Sequence, residues 1–161
     1  MSEIKDILSK YKTIAMIGVS KDPTKPSTIV MKYMQKYGFK VIPVNPRAKG
    51  EKILGEEVYE KITDIKEPVE IVDVFRPSKE AYGIAEDTVK IGAKVLWLQL
   101  GIRDESAKDL MKKNDIEYIE NKCTKMEYQK FFLGKMQAFP VIAISATAMA
   151  PERLTTISAA A

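Results

Sequence analysis

Thr13-Ile14-Ala15-Met16-Ile17-Gly18-Val19-Ser20, followed by Lys21-Asp22-Pro23-Thr24-Lys25-Pro26-Ser27, decides how the rest of this chain folds. The run up to Ile17 is too densely apolar to alternate between two faces, which predicts a central strand covered on both sides. Gly18 has no side chain, so the backbone can turn sharply there or approach a ligand closely. Ser27 is expected to cap the helix that follows. Free amides at that helix start, with Ser20, Lys21 and Lys25 beside them, suit an anion and above all a phosphate.

Outward from this stretch, Ile29, Val30, Tyr33, Met34 and Tyr37 recur at helical spacing until Gly38 stops the helix. Residues 39–44 read as a second strand, in which Pro43 removes a ladder donor and demands an unpaired or irregular position. Strand, turn, helix and strand make a right-handed crossover, the first half of a nucleotide-binding fold. Upstream, residues 1–12 read as a short amphipathic helix.

Downstream, residues 51–60 suggest a short strand and turn, and 62–65 a single helical turn. Further strands are expected over 69–75, 94–100 and 116–119, with Trp97 in the core. The helices between them open at Pro77-Ser78 and at Asp104. Thr124-Lys125-Met126-Glu127 has capping-box spacing and should start a last helix running to about Met136. The pattern predicts an α/β chain: a Rossmann-like, doubly wound, mostly parallel sheet of about five or six strands. A single domain is expected over 1–136. The tail, 137–161, reads as loosely ordered or as a segment docking on another copy or on a partner enzyme subunit.

Of the 161 residues, 45% are apolar and 30% charged, which is ordinary for a soluble protein. Lys and Arg number 26 against 22 Asp and Glu, a net charge of +4. The cations are interspersed and do not interleave with aromatics, so neither nucleic acid nor membrane is an expected partner. A small polyanion explains the bias equally well. Cys123 is the sole cysteine and residues 1–12 carry no apolar signal region, so a cytoplasmic protein is expected. The chain has no histidine. That removes Ser-His and Cys-His nucleophile pairs, phosphohistidine intermediates and imidazole zinc sites.

In an open α/β sheet, ligands sit beyond the carboxyl ends of the strands. Here those ends are Gly18-Val19-Ser20, Asn45-Pro46-Arg47, Phe75-Arg76-Pro77 and Gln99-Leu100-Gly101. They offer small, polar and cationic groups and no carboxylate, which favours binding an anion over acid–base chemistry. The first turn lacks the G-x-G-x-x-G fingerprint. Where an NAD site would place an acid on the ribose, the sequence has Asn45, Arg47 and Lys49, which suit a phosphorylated ribose as in coenzyme A or NADP. Taken singly, Lys21, Lys25 and Arg47 read equally well as solvated surface charges.

Ile17-Gly18-Val19-Ser20 with Lys25-Pro26-Ser27, Pro43-Val44-Asn45-Pro46, Ile53-Leu54-Gly55, Val72-Asp73-Val74-Phe75-Arg76-Pro77 and Trp97-Leu98-Gln99-Leu100-Gly101-Ile102 also carry a resemblance. Together, over residues 11–132, they resemble the small single-domain CoA-binding proteins. That family is similar to the N-terminal CoA-binding domain of the succinyl-CoA synthetase alpha subunit. The resemblance implies a Rossmann-like domain holding CoA or an acyl-CoA, generally without an assigned catalytic activity. It places Gly18, Val19, Ser20, Lys25, Pro26 and Ser27 on the pyrophosphate, and Asn45 and Pro46 near the adenosine. Phe75, Arg76, Gln99 and Gly101 fall along the pantetheine. Lys21 and Arg47 join them as cofactor-binding candidates from their charge and place. Where the family reads Asp-Arg-Cys and then Glu-His, this chain has Asn121-Lys122-Cys123 and Glu127-Tyr128. Cys123 is expected to be a buried thiol, the alternative being a mixed disulfide with CoA. The other functional readings are an NADP-linked oxidoreductase or redox sensor, and the CoA-binding component of an acyl-CoA ligase.

Overall fold

The first strand, β1 (Thr13–Ile17), lies inside the sheet with its central residues fully buried, as its dense apolar run requires. A computed structural model of the chain describes residues 2–133. Before β1 comes α1 (Ile4–Lys10), and after it α2 (Pro26–Lys36), β2 (Lys40–Val44) and a small hairpin of β3 (Lys52–Ile53) and β4 (Glu56–Glu57). Then follow β5 (Ile71–Val74), α3 (Ala81–Ile91), β6 (Val95–Leu98), α4 (Glu105–Lys113), β7 (Glu117–Ile119) and α5 (Thr124–Phe132). One compact unit covers Met1–Glu127; of the second unit, which begins at Tyr128, the described residues include the stacked rings of Tyr128 and Phe132. The expected helix end near Met136 and the tail 137–161 lie outside the described residues.

The main sheet is five-stranded and parallel, in the order β2-β1-β5-β6-β7. Beyond β2, Tyr59 forms an isolated parallel bridge with Val44. The Tyr59 amide donates to Pro43 O at 3.0 Å and the Asn45 amide to Tyr59 O at 2.9 Å. This single-residue remnant of a further strand explains why five or six strands were both legible. It also resolves the difficulty of Pro43. Its carbonyl points away from β1, so its nitrogen faces the outer edge, where no ladder donor is needed.

Ala15, Ile42, Val72, Val74, Leu96 and Leu98 pack on one face of the sheet with Ala81 and Ala85 of α3 and Ala107 and Met111 of α4. The alternate residues Ile14, Met16, Ile71, Val95 and Trp97 point to the other face and are equally buried, as are Ile7, Leu8, Met31 and Met34. Each large side chain buried in this way contributes roughly 1.5–3 kcal/mol. Trp97 is in the core as expected, and its Nε1 donates to Lys122 O at 2.8 Å.

Two expected caps are corrected. α2 begins two residues early, with Lys25 at the N-cap and Pro26 in the first turn. Proline's fixed φ suits that position and holds its predecessor extended, so Ser27 is already inside the helix. Thr124 opens α5 as expected, but its hydroxyl donates to Asp73 Oδ2 at 3.0 Å instead of capping the helix. The Asp104 cap forms as expected, accepting from the Ser106 amide at 2.9 Å. Among the described residues, no helix is long and apolar enough to cross a membrane.

Candidate functional site

The order of strands reverses between β1 and β5, which is where an open α/β sheet leaves a crevice. Gly18 follows β1 with φ +92°, and a Cβ built on it would lie 2.6 Å from the Phe75 carbonyl oxygen. Any side chain there meets backbone, so the close packing of the two strand ends demands glycine. Beyond them opens a crevice of about 760 Å³, lined by Gly18, Ser20, Asn45, Arg47 and Arg76 among others. That volume is in the range of small-molecule and cofactor sites.

The turn between β1 and α2 is held by its own polar groups. Ser27 Oγ accepts the Ser20 amide at 3.1 Å, Thr28 Oγ1 donates to Ser20 O at 2.6 Å, and Ser20 Oγ accepts the Asp22 amide at 3.0 Å. Asn45 reaches across from the end of β2, donating Nδ2 to Val19 O at 2.8 Å. Asp22 accepts both the amide and the hydroxyl of Thr24, which hold its pKa below the usual carboxylate value. The amides of Gly18, Ser20, Asp22, Thr24 and Lys25 are therefore already engaged. Those of Val19, Lys21, Ser27 and Thr28 make no hydrogen bond among the described residues. The expectation of free amides survives, narrowed to that set.

Acids from other segments stand around these strand ends. Lys21, Arg47, Lys61 and Arg76 line the crevice, but so do Asp22, Glu60, Glu80 and Asp87, so its formal charges cancel. The strand ends do lack carboxylates; these acids come from the loops and from the start and inner face of α3, which strand-end reasoning does not survey. Several cations are already paired. Lys21 contacts Glu51 at 3.1 Å and Lys49 contacts Glu60 at 3.4 Å. Arg76 is held from two sides by Glu80, with Nε–Oε1 at 3.0 Å and Nη2–Oε2 at 2.7 Å. This pairing lowers the pKa of Glu80 and raises that of Arg76. Arg47 and Lys61 line the crevice without an ion pair among the described residues, and Arg47 adds the planar fork that suits a phosphate.

Of the residues nominated from sequence, Gly18, Ser20, Lys21, Asn45, Pro46, Arg47 and Arg76 line this crevice together. Val19, Lys25, Pro26 and Ser27 belong to the turn beside it. Phe75 contributes the carbonyl against which Gly18 packs. Gly101 lies elsewhere, donating its amide to Asn121 Oδ1 at 2.7 Å. Gln99 is buried, and its Nε2 donates to Asp73 Oδ1 at 2.6 Å and to Thr124 Oγ1 at 3.0 Å.

Asp73 is the group that strand-end reasoning missed. It is fully buried in β5, and burial pushes its carboxyl up to about 7 despite hydrogen bonds from Gln99, Thr124 and the Val74 amide. A carboxylate inside the run Ile71-Val72-Asp73-Val74 was the signal available in sequence, since a charge in a central strand needs partners. With Thr124 also fully buried, the cluster braces the first turn of α5 against β5 and β6. Cys123, next to it, is buried and accepts from the Lys125 and Met126 amides; burial nevertheless pushes its thiol up. Among the described residues, no group of acids and cysteine is placed to hold a metal.

The model of a CoA-binding domain matches residues 12–129, which takes in every residue lining the crevice. The chain belongs to the CoA-binding domain family. Another relative, protein YneT of Bacillus subtilis, is 36% identical over 127 residues, covering 79% of this chain and 93% of that protein. A solved structure from Thermus thermophilus, 36% identical, covers 82% of this chain and 100% of its own with a TM-score of 0.78. A stretch of 95 residues is 30% identical to ADP-forming acetate–CoA ligase I subunit alpha of Pyrococcus furiosus, spanning 56% of this chain but 21% of that subunit. The family is thus related in sequence to part of an acyl-CoA ligase.

Proposed function

We propose that the crevice binds coenzyme A or a short acyl-CoA non-covalently, and that the chain serves as a binding module or regulator without catalysis of its own. The observation that carries this reading is the conjunction at the β1–β5 switch point. Amides of Val19, Lys21, Ser27 and Thr28 that are uncommitted among the described residues stand beside a crevice that also holds Arg47, which has no ion pair among those residues. Amides at a helix start favour a diphosphate, and a guanidinium at the end of β2 favours a phosphorylated ribose. Membership of the CoA-binding domain family supports the same ligand class.

Thermal shift with CoA, dephospho-CoA and NADP tests it. CoA should raise the melting temperature, and dephospho-CoA should do so less, because Arg47 loses the 3′-phosphate. A response to NADP but not to CoA favours the oxidoreductase or redox-sensor reading instead.

The stretch shared with an acetate–CoA ligase subunit supports a second reading, in which this chain is the CoA-binding component of a ligase completed by another polypeptide. Co-purification followed by an assay with acetate, nucleotide and CoA separates that case from a free-standing module.

A further inference from the structure

We propose that Glu80 is a built-in competitor for the ligand's phosphate, occupying Arg76 in the resting protein and yielding it when a phosphorylated ligand enters. The inference takes its phosphate from the reading above, but it does not depend on the ligand being CoA. Arg76 stands at the end of β5, and its Cδ lies 3.1 Å from where a Cβ on Gly18 would be. Its side chain therefore runs over the glycine turn. Glu80 takes the guanidinium by both Nε and Nη2, at 3.0 and 2.7 Å. This is the same two-pronged fork by which arginine grips a phosphate. An anion reaching the turn thus meets Arg76 with its best edge filled.

The lock is built to open. Glu80 is four residues from Arg76, and the intervening Ser78–Glu80 turn holds its carboxylate in place. Both side chains are partly exposed, at 46% and 39%, so water can take over the carboxylate once it is displaced. Glu80 also lines the crevice itself, so an entering phosphate and this carboxylate would repel one another. Lys21, by contrast, pairs with Glu51, which is outside the crevice lining.

Calorimetric titration with inorganic pyrophosphate, and separately with CoA, tests the proposal on five chains: wild type, Glu80→Gln, Arg76→Gln, the double variant of these two, and Glu80→Asp. Glu80→Gln should tighten pyrophosphate by about three- to fivefold, the scale of an exposed ion pair. The same change made in the Arg76→Gln background should gain nothing. Glu80→Asp, which keeps the charge but shortens the reach, should fall between wild type and Glu80→Gln; it supplies the readout if the Gln variant folds poorly. Weaker or unchanged binding in Glu80→Gln overturns the proposal. So does an equal gain in both Arg76 backgrounds, since that is only the loss of one negative charge. A pyrophosphate gain without any binding of CoA leaves the lock standing and removes the CoA reading. Binding of CoA that is indifferent to Glu80 does the reverse.

Discussion

Gly18 and Phe75 pack so closely that a methyl group on the glycine would sit 2.6 Å from the phenylalanine's carbonyl oxygen. The contact joins the carboxyl ends of two neighbouring parallel strands at the point where strand order reverses. It fixes the floor of the crevice and the path of the chain into α2. Gly18→Ala must both tolerate φ +92° and push the Phe75–Arg76 backbone away. We expect a loss of about 2–4 kcal/mol in denaturant unfolding. A loss below about 0.5 kcal/mol, the size of an ordinary surface change, would show that the two strand ends are not locked together.

Burial of Asp73 makes stability depend on pH in a definite direction. Its carboxyl titrates near 7 when folded, against an ordinary 3.8. The folded chain therefore keeps a proton that the unfolded chain has released. Stability contributed by this group is complete below about pH 4 and is lost as pH rises through about 7, amounting to roughly 4 kcal/mol at most. Urea melts of wild type and Asp73→Asn across that window should diverge, with wild type alone declining as pH rises. Parallel curves would mean that Asp73 is solvated or paired in a way that keeps its ordinary pKa.

Much of this was open to reading from sequence, because it rests on local signals. The dense run before Gly18, the Asp104 cap and the glycine after α3 each act within a few residues. What escaped depends on contacts between distant segments. Ser27 looks like a cap until Pro26 is given its preferred place in the first turn. Thr124 looks like a cap until Asp73, far away in the chain, claims its hydroxyl. Gln99 was legible as a strand-end residue, but whether it faces ligand or brace depends on Asp73 and on α5. The acids of the crevice come from α3 and the loops, so a survey of strand ends could not balance the charge.

Arg47 should discriminate between phosphorylated and unphosphorylated ribose. If CoA binds as proposed, Arg47→Gln weakens it by about tenfold while leaving dephospho-CoA nearly unchanged, the scale of one charge-assisted contact. Paired titrations of both ligands on both proteins check this. Equal losses for the two ligands would move the 3′-phosphate away from Arg47.

Cys123 should behave as a protected thiol. Burial raises its pKa and outweighs the amides of Lys125 and Met126. Alkylation at pH 8 is expected to be at least about tenfold slower in the native chain than in denaturant. Incubation with CoA disulfide should leave the intact mass unchanged. Rapid native labelling, or an adduct of CoA mass, would bring the thiol into the ligand's path.

The most direct test follows individual amides while CoA is added to ¹⁵N-labelled protein. Saturable shifts should appear at Val19, Lys21, Ser27 and Thr28, and at Arg47, with those of Gln99 and Gly101 smaller. An absence of shifts at millimolar CoA, or shifts confined to residues outside the β1–α2 turn, would contradict a phosphate site at the β1–β5 switch point.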